Sequence, residues 1–189
     1  MKKAVLILAV MVTSVMSYGQ SIFDQFEDME GVTSVVVNSK MFNMLAEIDI
    51  KTDDPESQAM VDMMKKITGL KVLTTGDEAI ASKMNAQVNS YLKSSSLEEL
   101  MRMKDGDQTV KIYVKEGKDD NHVKELLMFV NGLKEITAGQ DININGKKRE
   151  IETVILSLTG DIDLRQISKL TDKMNVPGGK HLKKAGEKN

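Results

Sequence analysis

The chain of 189 residues carries 26 Lys and Arg against 28 Asp and Glu, a formal net charge of −2, with no Cys, no Trp, three Tyr and four Phe. That balance excludes the basic footprint of a nucleic-acid binder, and the scarcity of aromatics excludes a stacking platform for sugars or single strands. Without Cys there are no disulfides, no thiol catalysis and no thiolate metal sites, so the fold rests on its own packed core.

Residues 1–19 read as a secretory signal peptide: Lys2 and Lys3, an uncharged apolar run from Ala4 to Met16, then the small residues Ser17 and Gly19 before a cut that leaves Gln20 as the new amino terminus. The run is too short to span about 30 Å of hydrocarbon, which takes about 20 apolar residues, so no transmembrane anchor is expected. Lipid attachment at the junction is not expected either, because it uses a cysteine. The expected destination is the bacterial periplasm, with the extracellular medium as the alternative. Losing Lys2 and Lys3 leaves 24 basic residues against 28 acidic ones, a net charge of minus four. Residues 20–175 are expected to form a single α+β domain. Residues 176–189, with Pro177-Gly178-Gly179 and Lys180, Lys183, Lys184 and Lys188, read as a flexible basic tail.

Ser21 is placed to cap a short helix presenting Phe23 and Phe26. Val32 to Val37 is β-branched at almost every position, which predicts a strand buried on both faces. Ser39 caps a helix carrying Met41, Met44, Leu45 and Ile48. Asp54-Pro55 opens another, with Met60, Met63, Met64 and Ile67 at helical spacing and Gly69 placed to end it. Leu70 to Thr74 reads as a second strand. Thr75 and Glu78 have capping-box spacing for a long helix with the stripe Ile80, Met84, Val88 and Tyr91 or Leu92. The period then changes to two. Leu97 to Met103, Val110 to Lys115 and His122 to Val130 predict a β-meander, joined by turns at residues 104–107 and 117–120. Ile136 to Asn145 and Ile151 to Thr159 predict a hairpin turning at Asn145-Gly146, with Thr153 to Leu158 apolar enough to lie centrally. Asp163 begins a last helix, with Leu164, Ile167, Leu170 and Met174 inward. The resulting fold class is α+β: a mixed, largely antiparallel sheet with helices packed mainly on one face.

Asp141-Ile142-Asn143-Ile144-Asn145-Gly146 with Glu152 beyond it matches the calcium loop of an EF-hand, in which alternate oxygens and a closing Glu surround the ion. An EF-hand needs a helix on either side, however, and Thr153-Val154-Ile155 favours a strand. Lys147, Lys148 and Arg149 would repel the ion. Met41, Met44, Met60, Met63 and Met64 offer clustered thioethers of the kind that suit Cu(I), but at helical core spacing and with no nearby His, since His122 lies in the meander and His181 in the tail. Hydrolysis needs a nucleophile, a base and an orienting group. Only His122 could serve as base in a folded region, and Ser94-Ser95-Ser96 reads as a helix-to-strand linker. No residue is therefore assigned a catalytic, cofactor-binding or metal-binding role, and no cofactor is expected.

The segments Gly31 to Phe42, Glu99 to Asp105, Val110 to Val114, Glu125 to Val130 and Ile155 to Leu164 resemble the domain-of-unknown-function 4252 family, small exported proteins of Gram-negative bacteria. The resemblance covers nearly all of the mature chain and implies a shared fold. It implies no activity and no site residues, and through the genes that often neighbour such proteins it implies a part in an envelope response. The expected function is that of a non-enzymatic, soluble exported domain binding an envelope protein partner through a sheet face or apolar groove. The alternatives are a carboxylate- or metal-dependent hydrolase built near Asp119-Asp120 or Asp141 to Glu152, or a calcium- or copper-binding module.

Overall fold

In a computed structural model of the chain the described residues are 21–47, 55–138, 143–144, 147–148 and 150–167. The leader, Gln20, Ile48, Asp54, Asp141, the Asn145-Gly146 corner, Leu170, Met174 and the basic tail lie outside them. A 3₁₀ turn at Ser21–Phe26 leads into β1 (Val32–Asn38), α1 (Ser39–Glu47), α2 (Pro55–Met64) and β2 (Ile67–Thr75). Then come α3 (Glu78–Ser94), β3 (Glu98–Asp105), β4 (Gln108–Glu116), β5 (His122–Asn131) and the single turn α4 (Lys134–Thr137). The series ends with β6 (Asn143–Ile144), β7 (Lys147–Lys148) and β8 (Thr153–Asp163), and residues 164–167 are helical.

Six strands form one sheet in the order β1-β2-β8-β5-β4-β3, with every pairing antiparallel. The class is α+β. The meander β3-β4-β5 forms where period-two alternation placed it, and the apolar run in β8 takes the central slot between β2 and β5. Gly160 allows this insertion: its φ is +141°, and a Cβ there would lie 2.3 Å from the Lys66 carbonyl oxygen.

One face of the sheet is closed by α3 and the 3₁₀ turn. Phe23, Phe26, Leu73, Met84, Val88, Leu127 and Ile155 are buried there, with the Phe23 and Tyr91 rings packed edge to face at 5.8 Å. The α3 stripe is Ala81, Met84, Val88 and Tyr91, and Ile80 and Leu92 flank it half-buried. On the other face Phe42 of α1, Leu164 and Ile167 pack over Ile112, Val114, Leu126 and Ile162. This cover is partial. Val35, Val72, Leu156, Met128, Ile112 and Met101 are cross-strand partners in succession, an apolar row running through all six strands. Most of its members are only half-buried.

Several expectations are corrected. β1 is not buried on both faces: it is the sheet edge, and Val35 and Val36 are 49% and 53% exposed. Its β-branched residues favour the extended backbone, which an edge needs as much as a centre does. Ile67 belongs to β2 rather than α2, and Gly69 sits inside β2 opposite Asn38 and Thr159, where it ends no helix. The cap of α3 is Asp77, whose Oδ1 accepts from the N–H groups of Ala79 (2.8 Å) and Ile80 (2.9 Å). Thr75 is instead the last residue of β2, its hydroxyl donating to the Gly31 carbonyl. Of the hairpin expected from Ile136 to Asn145 and Ile151 to Thr159, the described residues show only the short arms β6 and β7, paired with each other as a separate ladder. β8 pairs with β2 and β5, which offer longer apolar partners than Ile136 to Asn145 does.

Candidate functional site

Asp119 and His122 come together at the β4-β5 turn. Asp119 Oδ1 lies 2.7 Å from His122 Nδ1 and also accepts from the Asn121 N–H at 2.9 Å. On the far side of the ring, Nε2 lies 4.0 Å from Asp163 Oδ2, and Asp163 is held by Arg165 at 2.8 Å. The His122 contact pulls the Asp119 pKa below the ordinary value, and the Arg165 guanidinium does the same for Asp163. Beside them Lys118 donates to Asp161 at 2.8 Å. Each group is committed to another charge, and among the described residues no hydroxyl bonds to His122 as a nucleophile would. The arrangement closes a turn and ties it to the end of β8. Asp120 takes no part in it.

The Asp141 to Glu152 segment is described only at residues 143–144, 147–148 and 150–152. It runs into strand β8 rather than into the helix an EF-hand requires. The Glu152 carboxylate accepts from the Gly132 N–H at 3.2 Å. Among the described residues no three His, Asp or Glu side chains gather as a metal site requires. The methionines divide. Met63 is buried, whereas Met41 and Met44 are 45% and 52% exposed on α1, so the core reading of those two is corrected. Of the expected serine linker, Ser94 is instead the last residue of α3, and Ser95 caps it, its N–H donating to the Tyr91 carbonyl at 2.8 Å while its hydroxyl is buried with no partner among the described residues.

Two buried ionisable groups on the closed face were not singled out in the sequence. Lys71 donates to Asp24 and is also paired with Glu27. Burial pulls its pKa down, but these carboxylates outweigh that and hold it above the ordinary value. Glu125 is 4% exposed, and both its oxygens accept from the Tyr91 hydroxyl, at 3.0 and 2.8 Å. Burial raises its pKa, against the lowering effects of Tyr91 and Lys115. It also raises that of Tyr91, with the Glu125 charge adding to the shift. Nearby, Ser157 Oγ is fully buried with no partner among the described residues. The sequence did hold a signal for Glu125, which alternates in phase with the inward-facing Leu127 and Phe129. Glu125 lies against Tyr91 of α3, and Lys71 against Asp24 of the 3₁₀ turn and Glu27 just after it.

The exposed large apolar side chains are unevenly distributed. Val35, Val36, Met41, Met44, Leu45 and Leu100 are the exposed large hydrophobic residues described, and all but Leu100 fall between residues 35 and 45, on β1 and the adjoining helix α1. Asn38 joins the two, its Oδ1 accepting from the Met41 N–H at 3.1 Å. No helix among the described residues is long and apolar enough to cross a membrane.

No curated protein and no solved structure matches the chain. A family model described as a domain of unknown function, DUF4252, matches residues 26–170, a span that begins in the 3₁₀ turn and takes in all six strands of the sheet. Covering well over half of the sequence, that match establishes that the chain belongs to the DUF4252 family.

Proposed function

We propose that this is an exported, non-enzymatic domain of the bacterial envelope that works by binding protein through the apolar surface of β1 and α1. The observation that carries the reading is the concentration of Val35, Val36, Met41, Met44 and Leu45 on one sheet edge and its adjoining helix. Exposed apolar side chains scattered singly are ordinary, whereas their gathering on one edge strand and the helix it enters is what an interaction surface looks like. Methionines suit such a surface because their flexible thioethers adapt to a partner. The basic start, apolar run and small-residue junction of residues 1–19 support the address.

Two measurements test this. Mass spectrometry of periplasmic material should find a chain beginning at Gln20, and intact Met1 on cytosolic material would defeat the address. A photo-reactive residue at Met44 should give protein adducts in intact cells, while one at the solvent-facing Lys83 of α3 should not. Equal adducts from both, or none from Met44, would defeat the binding surface.

A further inference from the structure

We propose that β1 pairs antiparallel with β1 of a second copy, joining two sheets about a twofold axis near Val35. The proposal rests on the reading of this surface as one that binds protein, and names the partner. It starts from the contrast between the sheet's two edges. β3 is defended as edge strands usually are: Glu98, Glu99, Arg102, Lys104 and Asp105 line it, and its register with β4 shifts between Glu99 and Met101. Charges and bulges of this kind stop a strand from being extended by another chain. β1, Val-Thr-Ser-Val-Val-Val-Asn, has no charge, no Pro and no bulge. Its seven pairs with β2 run without a shift, while each of the other four pairings in the sheet carries one.

An edge this regular is a template for another strand, and its own chemistry selects the occupant. With no charge, β1 offers nothing by which a strand of opposite sign would be chosen. A second β1 needs no such choice. Antiparallel pairing centred on Val35 sets Val35 against its own copy, Thr33 against Val37 and Ser34 against Val36, which opposes no like charges and places β-branched side chains together. A twofold interface uses the same patch on both copies, the simplest closed assembly. Val35 and Val36 point to opposite faces of the sheet and are both half-exposed, so one added strand covers both. Met41, Met44 and Leu45 lie just beyond, on the helix that β1 enters directly.

The test is sedimentation equilibrium of the exported chain. The expected result is a dimer that Val35→Lys, or Val36→Lys in a second variant, converts to a monomer that still melts cooperatively, its transition no longer rising with protein concentration. The chain has no Cys, so a single introduced thiol reports unambiguously: Val35→Cys should be linked into a covalent dimer by a short bismaleimide, and Leu100→Cys on β3 should not. A monomer at all concentrations would overturn the proposal, as would a dimer indifferent to both lysine variants or equal linking at the two edges. A monomer whose Met44 probe captures a foreign protein overturns self-pairing alone. A monomer whose Met44 probe captures nothing overturns the protein-binding function as well.

Discussion

The two faces of the sheet are built from the same kinds of residue and finished differently. On the closed face Leu73, Leu127 and Ile155 have no exposure at all, because α3 and the 3₁₀ turn lie directly over them. On the other face Leu156, Leu158, Val72 and Met128 are only half-buried, beneath Phe42, Leu164 and Ile167. The closed face also holds the groups that are costly to bury, Lys71, Glu125 and Ser157, and the open face holds none of these. The second face has its own fully buried residues, Ile112 and Ile162, but its half-buried row reaches the β1 edge, so burial there falls off toward β1.

The contrast is tested most severely in the core. Leu127→Ala on the closed face should cost about 2–5 kcal/mol, the usual loss for a buried Leu whose neighbours cannot collapse. Leu156→Ala on the open face should cost distinctly less by urea unfolding, and equal losses would break the comparison. Next is Tyr91→Phe, which removes the donor from Glu125 and should cost about 1–3 kcal/mol at neutral pH. The sign is set by the raised pKa of Glu125. Above the unfolded value of 4.5 the folded form holds its proton longer, so stability falls as pH rises through the window from 4.5 to the raised folded value, and then levels. Urea titrations across that window should show the fall in the parent, a steeper one in Tyr91→Phe and none from this group in Glu125→Gln. A third change, Asp77→Ala, should cost about 1 kcal/mol through loss of the α3 cap. The smallest effect belongs to Met44→Gln, expected within about 0.5 kcal/mol by thermal melting. A large loss there would mean that the exposed methionines serve the fold and leave binding to other residues.

Local periodicity made much of this architecture legible. The alternation of Val110, Ile112 and Val114, the helical spacing of Met84, Val88 and Tyr91, and the unbroken run in β8 each report which neighbours a segment will have. What escaped depends on partners distant in the chain. Nothing within Val32 to Val37 says that only one flank will be paired. Gly69 resembles a helix stop until β1 and β8 are seen on either side of it. Thr75 and Asp77 are both good caps, and the extent of β2 decides between them. The pairing of Tyr91 with Glu125 spans two elements, so although the phase of Glu125 hinted at burial, its donor was not readable. The apolar surface escaped for the same reason as the edge, since Met41 and Met44 at helical spacing look like core until their side of α1 is seen to be about half exposed.

β8 occupies the middle of the sheet, yet it comes after all its neighbours in the chain. A polypeptide emerging from its amino end therefore holds β1-β2 and β3-β4-β5 as two halves, each with an unsatisfied strand, until residues 153–163 arrive to bridge them. Such long-range closure is intrinsically slow. Until residues 153–163 pair on both flanks, the six-stranded sheet has no continuous hydrogen-bonded centre, so its two sides are joined last.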